Sequence, residues 1–180
     1  MLFRSADIGW DGNWGMAASA PAKDYVHQLA AAMEARVGGR LIIEPKTVDG
    51  SPSVENVLNI ANILEREYAA YNAAKIKKQL DWKAHLVVVQ CGENVPSQGF
   101  DAAAFQKSLK AMLDDLKAAS DPQIFVTGNI LSANPELDAI KQRVCAEDST
   151  HRTFVDMSAY RSDPSLNGRL GHPGDRKSTR

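Results

Sequence analysis

Cysteine, one-sided charge and long apolar runs are all scarce in this sequence. Cys91 and Cys145 are its two cysteines, and they lack the close spacing of a zinc or dithiol redox pair, so two buried free thiols are expected. Lys plus Arg number 21 against 22 Asp plus Glu, a formal net charge of −1. Basic residues stand beside acids, as in Glu65-Arg66-Glu67, or in short helical runs such as Lys75-Ile76-Lys77-Lys78. These read as solvated helix faces, and no basic stripe with interleaved aromatics marks a nucleic-acid partner. No run is long and apolar enough to span a bilayer, and Met1-Leu2-Phe3-Arg4 lacks the apolar centre of a signal peptide, which leaves the compartment open. Gly9-x-x-Gly12-x-x-Gly15 has the wrong spacing for a dinucleotide loop, and the histidines have no metal-ligand spacing, so no cofactor and no metal are implied.

What is present is an ordinary globular composition, 44% hydrophobic over 180 residues, which predicts one soluble domain. Three β-branched runs stand out: Leu41-Ile42-Ile43, His85-Leu86-Val87-Val88-Val89-Gln90 and Gln123-Ile124-Phe125-Val126-Thr127. Thr153-Phe154-Val155-Asp156 is a shorter fourth. Continuously apolar runs predict strands buried on both faces and hence a parallel sheet. Helical periodicity fills the intervals at 23–36, 54–79, 102–118 and 135–144, the first with Val26, Leu29, Ala30 and Met33 on one face. Ser51-Pro52, Asp101 and Asn134-Pro135 are start signals, and Gly38-Gly39 and Pro122 are stop signals. Alternating strands and helices predict a three-layer α/β/α sandwich whose ligands bind at the carboxyl ends of the strands. Those ends are Thr47-Val48-Asp49, Gly92-Glu93-Asn94, Thr127-Gly128-Asn129 and Asp156-Met157-Ser158.

Two residues carry candidate chemistry. His172, in the turn Gly171-His172-Pro173-Gly174-Asp175, has the exposed, fixed setting that a general base for a hydroxyl needs, or is a plain surface histidine. Asn94, after Gly92, is a side-chain donor to a developing oxyanion, or a turn residue before Pro96. Trp10 and Trp14 either line an acyl or sugar pocket or pack their Gly-rich loop on the sheet. His151, beside Arg152, reads as a surface residue, and Glu93 as a turn or dipole partner without a catalytic role.

Together these segments resemble the SGNH (GDSL-type) hydrolase family. The resemblance rests on Ile8-Gly9-Trp10-Asp11-Gly12-Asn13-Trp14-Gly15-Met16-Ala17-Ala18-Ser19-Ala20, close to the Gly-Trp loop of one branch. It continues in Val88-Val89-Gln90-Cys91-Gly92-Glu93-Asn94, Thr127-Gly128-Asn129-Ile130 and Phe154-Val155-Asp156, and ends in His172-Pro173-Gly174-Asp175. The resemblance implies a parallel, flavodoxin-like sheet and hydrolysis of a carboxylic ester by a serine nucleophile. The substrate it implies is a small-molecule or acylated-carbohydrate ester. It further implies that Asn94 is the oxyanion-hole Asn, that Ala61 stands where the family has an oxyanion-hole Gly, and that His172 is the base.

The family's Gly-Asp-Ser or Gly-Asn-Ser turn is not found. Ser5, in Arg4-Ser5-Ala6, lacks the flanking glycine and the preceding apolar strand, and Ser19 reads as a helix cap. Arg169 stands three residues before His172, where many members of the family have an Asp. The expectation is therefore a single domain over residues 1–175, truncated at both ends and lacking its first strand and nucleophile, with residues 176–180 as a tail. The alternative is a non-catalytic binding module, or an inactive relic, of the same fold.

Overall fold

The computed structural model describes residues 22, 25–39, 71–130 and 133–162. The predicted strand at Leu41, the start at Ser51-Pro52, and Ala61, Trp10, Trp14 and His172 lie outside the described residues. The chain divides into two compact units, Met1–Leu58 with Ser162–Arg180, and Asn59–Arg161.

The first unit contributes helix α1, Tyr25–Val37. It stops as Gly38-Gly39 predicts: Gly38 takes φ +68° and its N–H donates to Glu34 O at 3.0 Å, satisfying a carbonyl that the helix leaves open. Arg36 in the last turn faces the negative end of the dipole. On the expected apolar face Ala30 and Met33 are half-buried, whereas Leu29 is 40% exposed.

In the second unit the expected helix over 54–79 does not run through its C-terminal part. Asn72 is extended, and its side chain accepts from Ala74 N at 2.9 Å to cap a 3-10 helix, Ala73–Ile76, continued by α2, Lys77–Leu80. The periodic pattern misses this break because an Asn side chain offers the backbone a local partner in place of the helix ladder. Tyr71, just before it, donates from its hydroxyl to Asp115 at 2.7 Å, and burial together with that carboxylate pushes the phenol well above its usual range.

The remainder is β1 (Leu86–Val89), α3 (Ala102–Ser120), β2 (Gln123–Thr127), α4 (Pro135–Ala146), β3 (Arg152–Val155) and the short α5 (Ser158–Arg161). The strands form a parallel sheet in the order β1-β2-β3, pairing Val87 with Ile124 and Val89 with Val126, then Ile124 with Arg152 and Val126 with Phe154. This is an α/β fold, as the alternation predicts. Asp101 accepts from Ala104 N at 2.9 Å and Asn134 from Leu137 N at 3.2 Å, so both predicted caps form.

Helix α3 buries Phe105, Leu109, Met112 and Leu113, and α4 buries Leu137, Ile140, Val144 and Cys145. Both stripes have the i, i+3, i+4 spacing of one helix face. They join Val89, Ile124 and Val126 in one core, each large side chain contributing about 1.5–3 kcal/mol by leaving water. The opposite sheet face is only partly covered: Leu86, Val88 and Phe125 are half-buried and Thr153 is exposed. Both cysteines are buried and outside any disulfide, and burial pushes the Cys145 thiol up to about 11. Among the described residues no helix is long and apolar enough to cross a membrane.

Charges gather at the amino-terminal ends of the strands. Arg152 is buried, and His151 beside it, expected at the surface, is only 18% exposed in its side chain, held by Asp148 at 3.0 Å and Asp121 at 3.1 Å. The Lys117 ammonium, 2.7 Å away, and then His151 hold the Asp148 carboxyl down at about 2, against an ordinary 3.8. A carboxyl with a lowered folded pKa contributes stability above its unfolded pKa and loses it as pH falls through the folded one. Asp148→Asn is therefore expected to be less stable than the parent at about pH 6 and to converge with it toward about pH 2. Urea midpoints across that range check this, and a gap that does not change with pH would refute it.

Candidate functional site

The three described strands end on one side of the sheet, and their first residues beyond the ladder form a connected polar cluster. From Val89 the chain passes through buried Cys91 to Gly92. Gly92 has φ +101°, and a Cβ there would lie 2.4 Å from Leu137 Cδ2, 3.3 Å from Asn129 Oδ1 and 3.4 Å from Lys141 Nζ. Only glycine fits both the backbone and the space. The turn closes with Val95 N donating to Gly92 O at 3.2 Å, and buried Val95 anchors it in the core. Asn94 is the exposed third residue of that turn.

Behind the turn lies a buried cation. Lys141 is 0% exposed, and its ammonium donates to Asn129 Oδ1 at 2.7 Å and Thr127 O at 3.1 Å. The Asp138 carboxylate, 3.6 Å away, balances its charge, as a buried ion requires. Asp138 also accepts from Asn129 N at 3.0 Å and stands 3.8 Å from the Arg161 guanidinium. Arg161 Nη1 donates to Asn129 O at 2.6 Å, and Asn129 Nδ2 to Gly92 O at 3.0 Å. Glu93 accepts from Ile130 N, which ties the β1 turn to the β2 loop a second time.

Strand β3 joins through Gly128 N, which donates to Val155 O at 2.9 Å. Beyond it Asp156 accepts from Ser158 N at 2.8 Å and Ser158 Oγ at 2.9 Å, and these bonds hold its carboxyl below the usual range. Three of the four predicted strand ends thus meet, the fourth lying outside the described residues. Of the predicted site residues, Asn94 lies at this cluster. Ala61, Trp10, Trp14 and His172 fall outside the described residues.

Sequence reasoning assigns no role to Asn129, Asp138, Lys141 or Arg161. One signal existed. Lys141 is four residues after Leu137 and one after Ile140, so it falls inside the apolar stripe of α4, where a lysine has to find buried acceptors.

No protein-family model matches the chain, and no curated protein sequence matches it. Its fold is similar to that of a family two carbohydrate esterase from Clostridium thermocellum solved in complex with cellohexaose. The TM-score is 0.53 at 17% identity, covering 89% of this chain and 51% of that one. An active site mutant of a family two carbohydrate esterase from the same organism gives a TM-score of 0.50 at 18% identity, covering 93% of this chain and 54% of that one. The chain thus spans about half the length of these solved structures. At such identities the likeness establishes a shared α/β fold.

Proposed function

We propose that this chain forms part of an SGNH-type esterase that hydrolyses carboxylic esters of acylated carbohydrate. The observation that carries this reading is the hydrogen-bonded Gly92-Glu93-Asn94 turn at the carboxyl ends of the strands, where α/β folds bind ligands. The fold shared with carbohydrate esterases supports it, as do the sequence motifs around Trp10 and His172.

In this reading residues 1–175 belong to one hydrolase domain, and the serine comes from a Gly-Asp/Asn-Ser segment preceding Met1 in the intact protein. The serine hydroxyl attacks the ester carbonyl while His172 takes its proton and returns it to the leaving alcohol. The Asn94 side chain and backbone N–H groups, that of Ala61 among them, hold the oxyanion. Trp10 and Trp14 are assigned the role of offering flat aromatic faces to the sugar. Neither a metal nor an organic cofactor enters this scheme.

The test is to read the coding DNA upstream of Met1, express the extended protein, and measure acetate release from acetylated xylo-oligosaccharides. Asn94→Ala is expected to lower kcat by about a hundredfold or more, and an unchanged rate removes Asn94 from the site. His172→Ala should abolish turnover with little change in unfolding midpoint. Retention of the oligosaccharide without turnover at any pH establishes the binding-module alternative instead.

A further inference from the structure

The cluster behind the turn contains a directional element. An ammonium has donors and no acceptor, so the Asn129 amide must present its oxygen to Lys141 Nζ, 2.7 Å away. Its nitrogen then points the other way, to Gly92 O at 3.0 Å. Were the amide reversed, two donors would face each other at Lys141 and two oxygens at Gly92, each pair buried and repulsive. The rest of Asn129 has no freedom to compensate. Its backbone N–H is taken by Asp138 and its carbonyl by Arg161, and the residue is 1% exposed. The Gly92 carbonyl, receiving both Asn129 Nδ2 and Val95 N, cannot rotate without losing both.

We propose that Lys141 and Asn129 are positioning residues for the Gly92-Glu93-Asn94 turn. The buried ammonium selects the one orientation of the Asn129 amide that donates to Gly92 O, and so sets where the turn presents Asn94. The proposal deepens the esterase reading and rests on it for the role of Asn94. The clamp itself rests on geometry alone.

Asn129→Asp isolates the effect. The aspartate keeps an acceptor for Lys141, with added charge attraction, but has no donor for Gly92 O. In the intact protein, amide hydrogen exchange at residues 92–95 is expected to accelerate about tenfold or more, while exchange within β2 stays at the parent rate. In the serine-complete enzyme kcat should fall about tenfold with KM held within about twofold, the pattern of a lost transition-state contact. Lys141→Met should accelerate exchange at the same residues. Should it not fold, Asn129→Asp still decides.

Unchanged exchange at 92–95 in Asn129→Asp overturns the proposal and leaves the esterase reading standing. So does faster exchange with unaltered kcat, which reduces the clamp to a structural tie. If the parent hydrolyses no ester, the esterase reading fails, and exchange alone decides whether the clamp holds the turn.

Discussion

Gly92→Ala is expected to destabilise the protein by about 2–5 kcal/mol, combining left-handed backbone strain with the cost of forcing a methyl into a filled space. The new Cβ would sit 2.4 Å from Leu137 Cδ2. Leu137 is fully buried in the core, so its side chain can yield only by disturbing packed neighbours. Gly99 supplies the control. It has φ +77° but nothing within 4 Å of an added Cβ, so Gly99→Ala should show the strain alone, about 1–2 kcal/mol. Urea denaturation of the two variants separates the terms. Equal losses would mean that the contact with Leu137 contributes nothing. Because Gly92 O is also the acceptor for Asn129, the same variant should displace Asn94 and lower any ester turnover beyond what its stability loss explains.

Asp114→Ala is expected to cost about 3–5 kcal/mol, the penalty for stranding a buried charge. Arg152 is 2% exposed in its side chain, and its Nη2 donates to Asp114. Among the described residues its Nε and Nη1 are buried with no hydrogen-bond partner, and Asp114 is the carboxylate that pairs with it. Burial works to raise the Asp114 carboxyl, but hydrogen bonds from Arg152 and then Lys110 outweigh it and hold the group below its usual range. Asp114 is itself 48% exposed, so the loss falls on the arginine left behind. Adding Arg152→Met removes that charge, and the double variant should regain most of the stability, since an apolar side chain often replaces a buried pair at little cost. Urea midpoints of the single and double variants measure this. A loss below about 1 kcal/mol for Asp114→Ala would place the pair among ordinary surface ion pairs.

The strands and caps were legible because their causes are local. Leu86 to Val89 and Gln123 to Thr127 announce strands as continuous β-branched runs; the burial on both faces that such runs predict is complete only on the face of Val89, Ile124 and Val126. Asp101, Asn134-Pro135 and Gly38 act on backbone groups within four residues of themselves. The break at Asn72 was as local and was still missed. Apolar spacing carries across it unchanged, and nothing in the spacing tells whether an Asn side chain will turn back on its own backbone. His151 read as superficial because polarity alone cannot foresee two carboxylates, Asp121 and Asp148, closing around it.

By itself, then, the sequence determined the alternation of strand and helix, the parallel sheet and the strand ends where Asn94 stands. Each of these follows from periodicity and from side chains bonding to neighbouring backbone. Only the tertiary structure decided what holds that edge. Lys141 and Asn129 are 12 residues apart, and Asn129 and Gly92 are 37 apart. A buried ammonium has to find whichever acceptors the packed strands bring to it, and that choice is made when β1, β2 and α4 come together.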